Sequence, residues 1–235
     1  MALESLYVEP EQELTELEWP ALECLDVFKI YRSGPVETVA LRGLDLRVER
    51  DEVVAVLGPS GCGKSTLLAL AAGLDQPSAG EMRALGRSLG RLTEEELADY
   101  RARDTAIVFQ SDNLWPALTA HENVVTALRL AGLPQADDVA QASLERFGLG
   151  RRGSHRVSAL SGGEQQRVAI AAAAARGAEL VLADEPTGEL DEENETLVLE
   201  ALRELKTTVV VVTHSVRVAA AVDRVIEMRD GRVAR

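Results

Sequence analysis

The chain has 235 residues, a formal net charge of -14 and a pI near 4.7. This length predicts one large domain, or a domain with a subdomain, around a sizeable buried core. The acidic balance argues against free-standing nucleic-acid binding, because Lys and Arg side chains that neutralise phosphates supply most of that affinity.

The start of the chain and the length of its apolar runs indicate the cellular compartment of the protein. Residues 1–20 are predicted to form an acidic extension, since the stretch up to Trp19 carries six Glu and no Lys or Arg. The stretch lacks the cationic segment and long apolar core of a signal peptide, and no apolar run approaches the roughly 20 residues that span a bilayer. We therefore expect a soluble, cytosolic chain. Cys24 and Cys62 lie in unrelated contexts, so neither a disulfide nor a metal site is predicted from them.

The first predicted strands lead into a glycine-rich loop. Runs at 25–31 and 44–48 indicate an antiparallel edge, and Val53–Leu57 indicates a buried strand. The segment Gly58-Pro59-Ser60-Gly61-Cys62-Gly63-Lys64-Ser65 follows, ahead of a helical run at 66–70, and fits the phosphate-binding loop in full. Backbone N–H groups would cradle phosphates, Lys64 would reach the β- and γ-phosphates, and Ser65 would bind Mg²⁺. A plain glycine turn is the alternative, but it requires neither the lysine nor the hydroxyl.

The middle of the chain is predicted to be rich in helices. From about residue 111 to 158, helical patterns alternate with loops, with a helix start near Thr119 and a break at 132–134. This pattern indicates a helical subdomain inserted into a domain that spans 21–235.

The octapeptide at 160–167, Leu-Ser-Gly-Gly-Glu-Gln-Gln-Arg, opens a predicted helix that runs to about Ala175. Ser161 is predicted as the N-cap, with Glu164 reaching back in a capping box. The glycine pair costs helix propensity of about 1 kcal/mol per residue and so requires another reason. We expect a phosphate to approach the amides of Gly162 and Gly163 closely, beside the Ser161 hydroxyl.

Acidic and imidazole side chains follow two apolar runs, at 180–183 and 208–212, which are predicted to be parallel strands joined by a helix. Asp184 and Glu185 end the first run and His214 follows the second, where α/β sheets present ligand-facing residues. Asp184 is a candidate for holding Mg²⁺ and Glu185 for orienting or deprotonating an attacking water. Solvated loop acids and a structural histidine are the alternatives.

Taken together, these motifs resemble those of ABC ATPases, from about residue 22 to 235. The resemblance implies an α/β P-loop NTPase of ABC type, with a mostly parallel sheet core, an antiparallel β subdomain and an inserted α-helical subdomain. It also implies ATP and Mg²⁺ as ligands. By the same resemblance, His214 contacts the γ-phosphate, Gln110 binds Mg²⁺, Tyr31 stacks on adenine and Asp191 crosses the dimer interface. The alternatives are a structural histidine, an ordinary strand-end glutamine, an edge-strand tyrosine and a surface acid.

The predicted site is distributed along the chain. The residues predicted to bind the nucleotide are Tyr31, Gly58, Pro59, Ser60, Gly61, Cys62, Gly63, Lys64, Ser65, Thr66, Ser161, Gly162, Gly163 and Asp191. Those predicted to act in catalysis are Lys64, Gln110, Glu185 and His214, and those predicted to bind the metal are Ser65, Gln110 and Asp184.

The resemblance also implies partners. In this family the serine and glycines of the octapeptide, the signature motif, close over ATP held by a second copy, head to tail, so we expect an ATP-dependent homodimer. We further expect a separately encoded membrane permease, docked around 114–124, which would hold the chain at the cytoplasmic face of the cell membrane. Trp115 belongs either to that contact or to the core. No nucleic-acid partner is expected.

Within the family, 109–124 and 183–188 are similar to the branch of macrolide exporters, lipoprotein-release systems and the cell-division complex. Glu189 and Ala172 stand where that branch usually has asparagine and arginine. The leading hypothesis is an ABC transporter ATPase subunit, and a mechanotransmitting subunit is the first alternative. A soluble ABC protein of DNA repair, chromosome maintenance or translation is disfavoured by the acidic charge, and a nonhydrolysing regulator by Glu185 and His214.

Overall fold

The computed structural model describes residues 19–34 and 36–234, so the predicted acidic extension lies outside the described residues except for its last two positions. The strands are β1 (Leu22–Ser33), β2 (Val36–Val48), β3 (Val53–Leu57), β4 (Ala79–Ala84), β5 (Arg87–Ser88), β6 (Thr105–Val108), β7 (Leu180–Asp184), β8 (Thr208–Thr213), β9 (Arg224–Arg229) and β10 (Arg232–Val233). The α-helices are α1 (Lys64–Ala71), α2 (Glu94–Asp99), α3 (Ala120–Leu130), α4 (Ala136–Arg146), α5 (Gly162–Arg176), α6 (Glu192–Glu204) and α7 (Val216–Ala220). Single turns of 3₁₀-helix lie at Leu89–Arg91, Gly150–Arg152 and Val157–Ala159, and a π-helical turn lies at Tyr100–Asp104.

Four strands form an antiparallel sheet in the order β2-β1-β4-β5. Leu22 pairs with both Val48 of β2 and Ala84 of β4, so β1 lies in the middle of this sheet. The runs predicted at 25–31 and 44–48 are parts of these longer strands. This sheet is the predicted antiparallel β subdomain.

The other six strands form a second sheet in the order β10-β9-β3-β8-β7-β6. Every neighbouring pair from β9 to β6 is parallel, and β10 pairs antiparallel with β9 at the edge. The prediction of a mostly parallel core is therefore confirmed. Because β8 lies between β3 and β7, the chain segments that leave the carboxyl ends of these three strands are neighbours.

The parallel sheet separates two hydrophobic cores. In β8, Val210 and Val212 belong to the core that includes the antiparallel sheet, whereas Val209 and Val211 belong to the core that includes α3 to α6. Successive side chains of a strand point to opposite faces, so both faces of β8 are buried. This double burial explains why the strand is a continuous apolar run without alternation.

Capping residues set the ends of the helices around the second core. Thr119 and Glu122 form a capping box at the start of α3, and α3 ends at Leu130, just ahead of the predicted break. The capping box of Ser161 and Glu164 starts α5, as predicted, with bonds of 3.2 Å from Glu164 N to Ser161 Oγ and 2.9 Å from Ser161 N to Glu164 Oε2. None of the helices in the described part of the chain is long and apolar enough to cross a membrane.

Candidate nucleotide site

The loop between β3 and α1 is hydrogen-bonded to its own lysine. Lys64 is only 8% exposed, and its Nζ donates to the carbonyl oxygens of Gly58 at 2.7 Å and Pro59 at 3.1 Å. Helix α1 begins behind Gly63, which has no side chain to cap the first turn. The first N–H groups of the helix are therefore open to an outside acceptor, and the helix dipole favours an anion there. The loop, the lysine and the helix start together fit a phosphate group.

Contacts within the chain require glycine at two positions of this loop. A Cβ at Gly58 would lie 2.3 Å from the Met228 carbonyl oxygen, and one at Gly63 would lie 2.5 Å from the Ala40 carbonyl oxygen. Gly63 also has a φ of 103°, which side-chain-bearing residues rarely adopt. Cys62 is buried beside Gly58. The remaining predicted contacts of the loop are the exposed Pro59, Ser60, Gly61 and Ser65 and the half-buried Thr66.

Asp184 ends β7 beside the start of α1. Burial disfavours its charged form and raises the pKa of its carboxyl above the ordinary value, although a hydrogen bond from Ser65 and the charge of Lys64 act in the opposite direction. A partly desolvated carboxylate next to a hydroxyl is an oxygen donor set that suits Mg²⁺. No group of three or more His, Cys, Asp or Glu side chains within 19–34 and 36–234 could hold a metal by itself. The oxygen atoms of Ser65 and Asp184 fit a Mg²⁺ ion that would take its other ligands from phosphate oxygens and water, the usual arrangement for this metal.

The raised pKa of Asp184 predicts a pH-dependent stability. The folded chain binds the Asp184 proton more tightly than the unfolded chain, so ionisation destabilises the fold as pH rises above the ordinary range of Asp, near 3.8. Asp184→Asn, measured without nucleotide or Mg²⁺, should raise Tm at pH 7 above that of the wild type, because the amide carries no charge to desolvate. The gain should shrink as pH falls toward 4. Asp230→Asn, in an exposed turn, should leave Tm unchanged, and a Tm of Asp184→Asn at or below the wild type at pH 7 would contradict the burial cost.

Glu185 and His214, predicted separately, are brought into direct contact. His214 Nδ1 lies 2.9 Å from Glu185 Oε1, and the Thr213 hydroxyl donates to Oε2 at 3.0 Å. The Glu185 side chain is 18% exposed and the imidazole 69% exposed. Because a carboxylate only accepts, His214 carries its proton on Nδ1 in this contact. The φ of 45° at Glu185 and the bond from its N–H to the Val212 carbonyl fix the backbone from which the carboxylate projects.

Gln110 follows β6, and its side chain points along the loop after Glu185. Its Nε2 donates to Glu189 Oε1 at 3.3 Å and lies 3.1 Å from the position of a Cβ on Gly188. The backbone beside it is held by Gln166 of α5, whose buried Nε2 donates to the Gln110 carbonyl oxygen at 2.5 Å. The octapeptide contains Gln166, but nothing in its pattern predicted this bond. Metal binding by Gln110 stays a prediction.

Tyr31 lies on β1 with 41% of its surface exposed. Lys29 Nζ sits 5.0 Å from the ring centroid and pairs with Asp75 at 2.5 Å, so the ring is oriented by a neighbouring cation. An exposed ring of this kind can stack on a base without reading its edge. Adenine contact by Tyr31 stays a prediction.

The glycine pair at the start of α5 has two different environments. A Cβ at Gly163 would lie 2.4 Å from Asn194 Oδ1, so close packing against α6 excludes a side chain there. The predicted reason, approach by a phosphate, is therefore not needed for Gly163. Gly162 is exposed, and a Cβ there would meet only Leu190 Cδ2 at 3.3 Å. Ser161 and Gly162 are the two positions of the motif that are open to a ligand from outside.

Asp191 is the N-cap of α6. Its Oδ1 accepts from Asn194 N at 2.9 Å and from Asn194 Nδ2 at 3.0 Å. Both hydrogen bonds lower the pKa of Asp191. Asn194 therefore touches both Asp191 and Gly163, two predicted site residues that are distant in sequence. No sequence pattern identified Asn194.

Comparison with known proteins agrees with this geometry. The family model described as ABC transporter matches residues 41–188. An uncharacterized ABC transporter ATP-binding protein of Thermotoga maritima is 44% identical over 217 residues, which cover 90% of this chain and 93% of that protein. The macrolide export ATP-binding/permease protein MacB of Azoarcus sp. is 42% identical over 219 residues. That match covers 91% of this chain but only 33% of MacB, so the chain spans about a third of the length of that relative.

Solved structures give the same result. The dimeric ATP-binding cassette MJ0796 bound to ADP and Pi superposes with a TM-score of 0.83 at 37% identity, over 91% of this chain and 97% of that one. A second dimeric structure of MJ0796, described as a bacterial ABC transporter cassette, gives a TM-score of 0.84 over the same shares. The chain therefore belongs to the ABC transporter family, as an ATP-binding ATPase domain.

Proposed function

We propose that the chain hydrolyses ATP between two head-to-tail copies of itself and drives a separate membrane permease. The observation that carries this proposal is the Glu185 carboxylate, held by Thr213 and His214. It lies at the same end of the parallel sheet as Asp184 and the start of α1, which carries Lys64 and Ser65. A base fixed in this way next to a phosphate loop is the arrangement that in-line attack of water on a γ-phosphate needs.

Each residue of the site has a proposed role. Lys64 and the N–H groups of 60–65 hold the β- and γ-phosphates, and Lys64 moves from its own loop carbonyls to the phosphate oxygens. Glu185 orients the attacking water and accepts its proton, and His214 contacts the γ-phosphate. Mg²⁺, bound through Ser65, Asp184 and Gln110, would neutralise the charge of the phosphates. Tyr31 stacks on the adenine.

The proposal of a dimer rests on the exposed residues of the signature motif. Ser161 and Gly162 are exposed, so their hydroxyl and amide can meet the γ-phosphate of ATP bound to another copy. Two solved structures that this chain resembles, with TM-scores of 0.83 and 0.84, are described as dimeric. Asp191 lies beside this motif through Asn194, and we propose that it crosses to the second copy.

A groove on the helical side is the proposed permease contact. It has a volume of about 170 Å³ and runs between β6, α3 and α5. Trp115 and Leu130 line it and are 59% and 70% exposed, so an apolar segment of a partner would bury both. MacB is named as both ATP-binding protein and permease, whereas the Thermotoga maritima relative has almost the length of this chain. We therefore propose a permease on a separate chain, with this protein on the cytoplasmic face of the membrane.

The test measures ATP hydrolysis by the purified full chain, alone and with the membrane protein that co-purifies with it in detergent. Turnover should be measurable with Mg²⁺ and should change when the partner is added. Trp115→Ala should lower the ratio of the two rates, because the partner loses a contact, whereas Leu74→Ala, a substitution of an exposed leucine outside the groove, should keep the ratio. Absence of turnover in both conditions would overturn the proposal, and an unchanged ratio for Trp115→Ala would overturn the groove.

A further inference from the structure

A carboxylate of α6 that no motif contains joins the two loops around Glu185. Glu195 lies in the first turn of α6, and its side chain is only 12% exposed. Its Oε1 accepts from the Ser215 hydroxyl at 3.1 Å and from the Thr187 hydroxyl at 3.4 Å. Thr187 is two residues beyond Glu185 and Ser215 follows His214 directly, so Glu195 ties the two segments that carry the proposed base and its histidine partner.

Ser215 connects Glu195 to the site through two separate donors, its side-chain hydroxyl and its backbone N–H. The Ser215 hydroxyl must donate to Glu195, because a carboxylate cannot, and its oxygen accepts from Val218 N at 3.4 Å. The Ser215 N–H donates to the Thr213 hydroxyl oxygen at 3.0 Å. The Thr213 hydroxyl in turn donates to Glu185 Oε2 at 3.0 Å. The Ser215 hydroxyl donates to Glu195. Loss of the Glu195 carboxylate therefore leaves this hydroxyl without the acceptor that orients the Ser215 side chain.

We propose that Glu195 is a positioning residue for ATP hydrolysis, acting through Ser215 to hold Glu185 and His214 in contact. This inference rests on the roles proposed for Glu185 and His214. Glu195 makes no proposed contact with the nucleotide, so it acts on the rate of the chemical step and leaves ATP binding alone.

Arg217 contacts both Glu195 and Glu192, and Glu192 therefore provides a matched control. Arg217 Nη1 lies 3.6 Å from Glu195 Oε2 and 2.8 Å from Glu192 Oε1. Glu192 has an 83% exposed side chain and lies in the same first turn of α6 as Glu195. Glu192→Met therefore removes an acid of the same turn and the same arginine contact but leaves the bonds to Ser215 and Thr187.

The experiment compares three variants of the full chain with the wild type by steady-state ATP hydrolysis with Mg²⁺, separating kcat from KM, together with ATP affinity and Tm. Glu195→Met, which keeps the side-chain length without an acceptor, should lower kcat by about 10- to 100-fold, the scale of a small misplacement of catalytic groups. KM and ATP affinity should stay within about twofold of the wild type, since binding contacts are unchanged. Glu195→Gln keeps an oxygen acceptor and should remain within about threefold of the wild-type kcat, since a neutral hydrogen bond keeps roughly half the strength of a charge-assisted one. Glu192→Met should match the wild type.

Two further variants test the path through Ser215. Ser215→Ala alone should lower kcat. Adding Glu195→Met to Ser215→Ala should lower kcat by less than about a further twofold, because both substitutions remove the same hydrogen bond. Wild-type kcat in Glu195→Met, equal losses in Glu195→Met and Glu192→Met, or multiplied losses in the double variant would each overturn the inference. Glu185→Gln distinguishes failure of the positioning role from failure of the proposed site. If Glu185→Gln also hydrolyses ATP at the wild-type rate, the proposed base is wrong. If Glu195→Met hydrolyses ATP at the wild-type rate but Glu185→Gln does not, only the positioning role of Glu195 is wrong.

Discussion

Glu185→Gln should reduce ATP turnover by about 10²- to 10⁴-fold, the usual contribution of a general base. The amide cannot accept the proton of the attacking water, yet its oxygen can still accept from Thr213, which donates to Glu185 Oε2 at 3.0 Å. ATP affinity should therefore stay close to that of the wild type. Single-turnover hydrolysis and equilibrium ATP binding by the purified chain measure the two quantities separately.

The matched control for this variant is Glu193→Gln, which makes the same chemical change at an exposed position of the first turn of α6. It should hydrolyse ATP at the wild-type rate. A wild-type rate in Glu185→Gln would show that another group activates the water. A joint loss of ATP binding and turnover would show instead that Glu185 holds the shape of the site.

The second large effect concerns association of two copies. When Glu185→Gln blocks hydrolysis, ATP should remain bound between two chains and hold them together. The Glu185→Gln protein should therefore elute from size-exclusion chromatography as a dimer with ATP and as a monomer without ATP. Adding Gly162→Glu should abolish the ATP-dependent dimer, because a carboxylate at the exposed end of α5 would face the γ-phosphate of the other copy. ATP affinity of the monomer should be unchanged, since Gly162 lies outside the chain's own phosphate loop.

A glutamate introduced at an exposed position outside α5 distinguishes this effect from a general change of net charge. Ala172 of α5 is unsuitable for this control, because it lines the groove proposed for the permease. The control is Val36→Glu, at the exposed start of β2. This control should still dimerise with ATP. Dimerisation of the Gly162→Glu variant would place the interface elsewhere and would remove Ser161 and Gly162 from the composite site.

Much of the fold follows from local signals in the sequence. β3, the glycine loop and α1 are specified within about twenty consecutive residues, and the strand at Val53–Leu57 was predicted with its observed bounds. The apolar runs that form β7 and β8 are uninterrupted because both faces of each strand are buried. Such runs can be recognised from the sequence without any knowledge of the neighbouring strands. Asp184, Glu185 and His214 were predicted because they directly follow such runs.

Other parts depend on contacts between distant segments. β9 alternates buried and exposed residues, with Ile226 and Met228 inside, yet it is short and charged and was not predicted. The requirement for glycine at Gly163 is set by Asn194, thirty-one positions away, and no local pattern contains both residues. Glu195 belongs to the same group, since an acid in the first turn of a helix is usually explained by the helix dipole alone.

The bonds from Lys64 to the Gly58 and Pro59 carbonyls have a consequence for the kinetics of ATP capture. They give the phosphate loop its shape within the fold, so the entropic cost of ordering the loop is met when the protein folds and does not recur at each encounter with ATP. The ammonium has only to exchange two nearby carbonyl oxygens for phosphate oxygens. Association should then be governed by diffusion and by the acidic field of the protein, and added salt, by screening that field, should speed the capture of the anionic nucleotide.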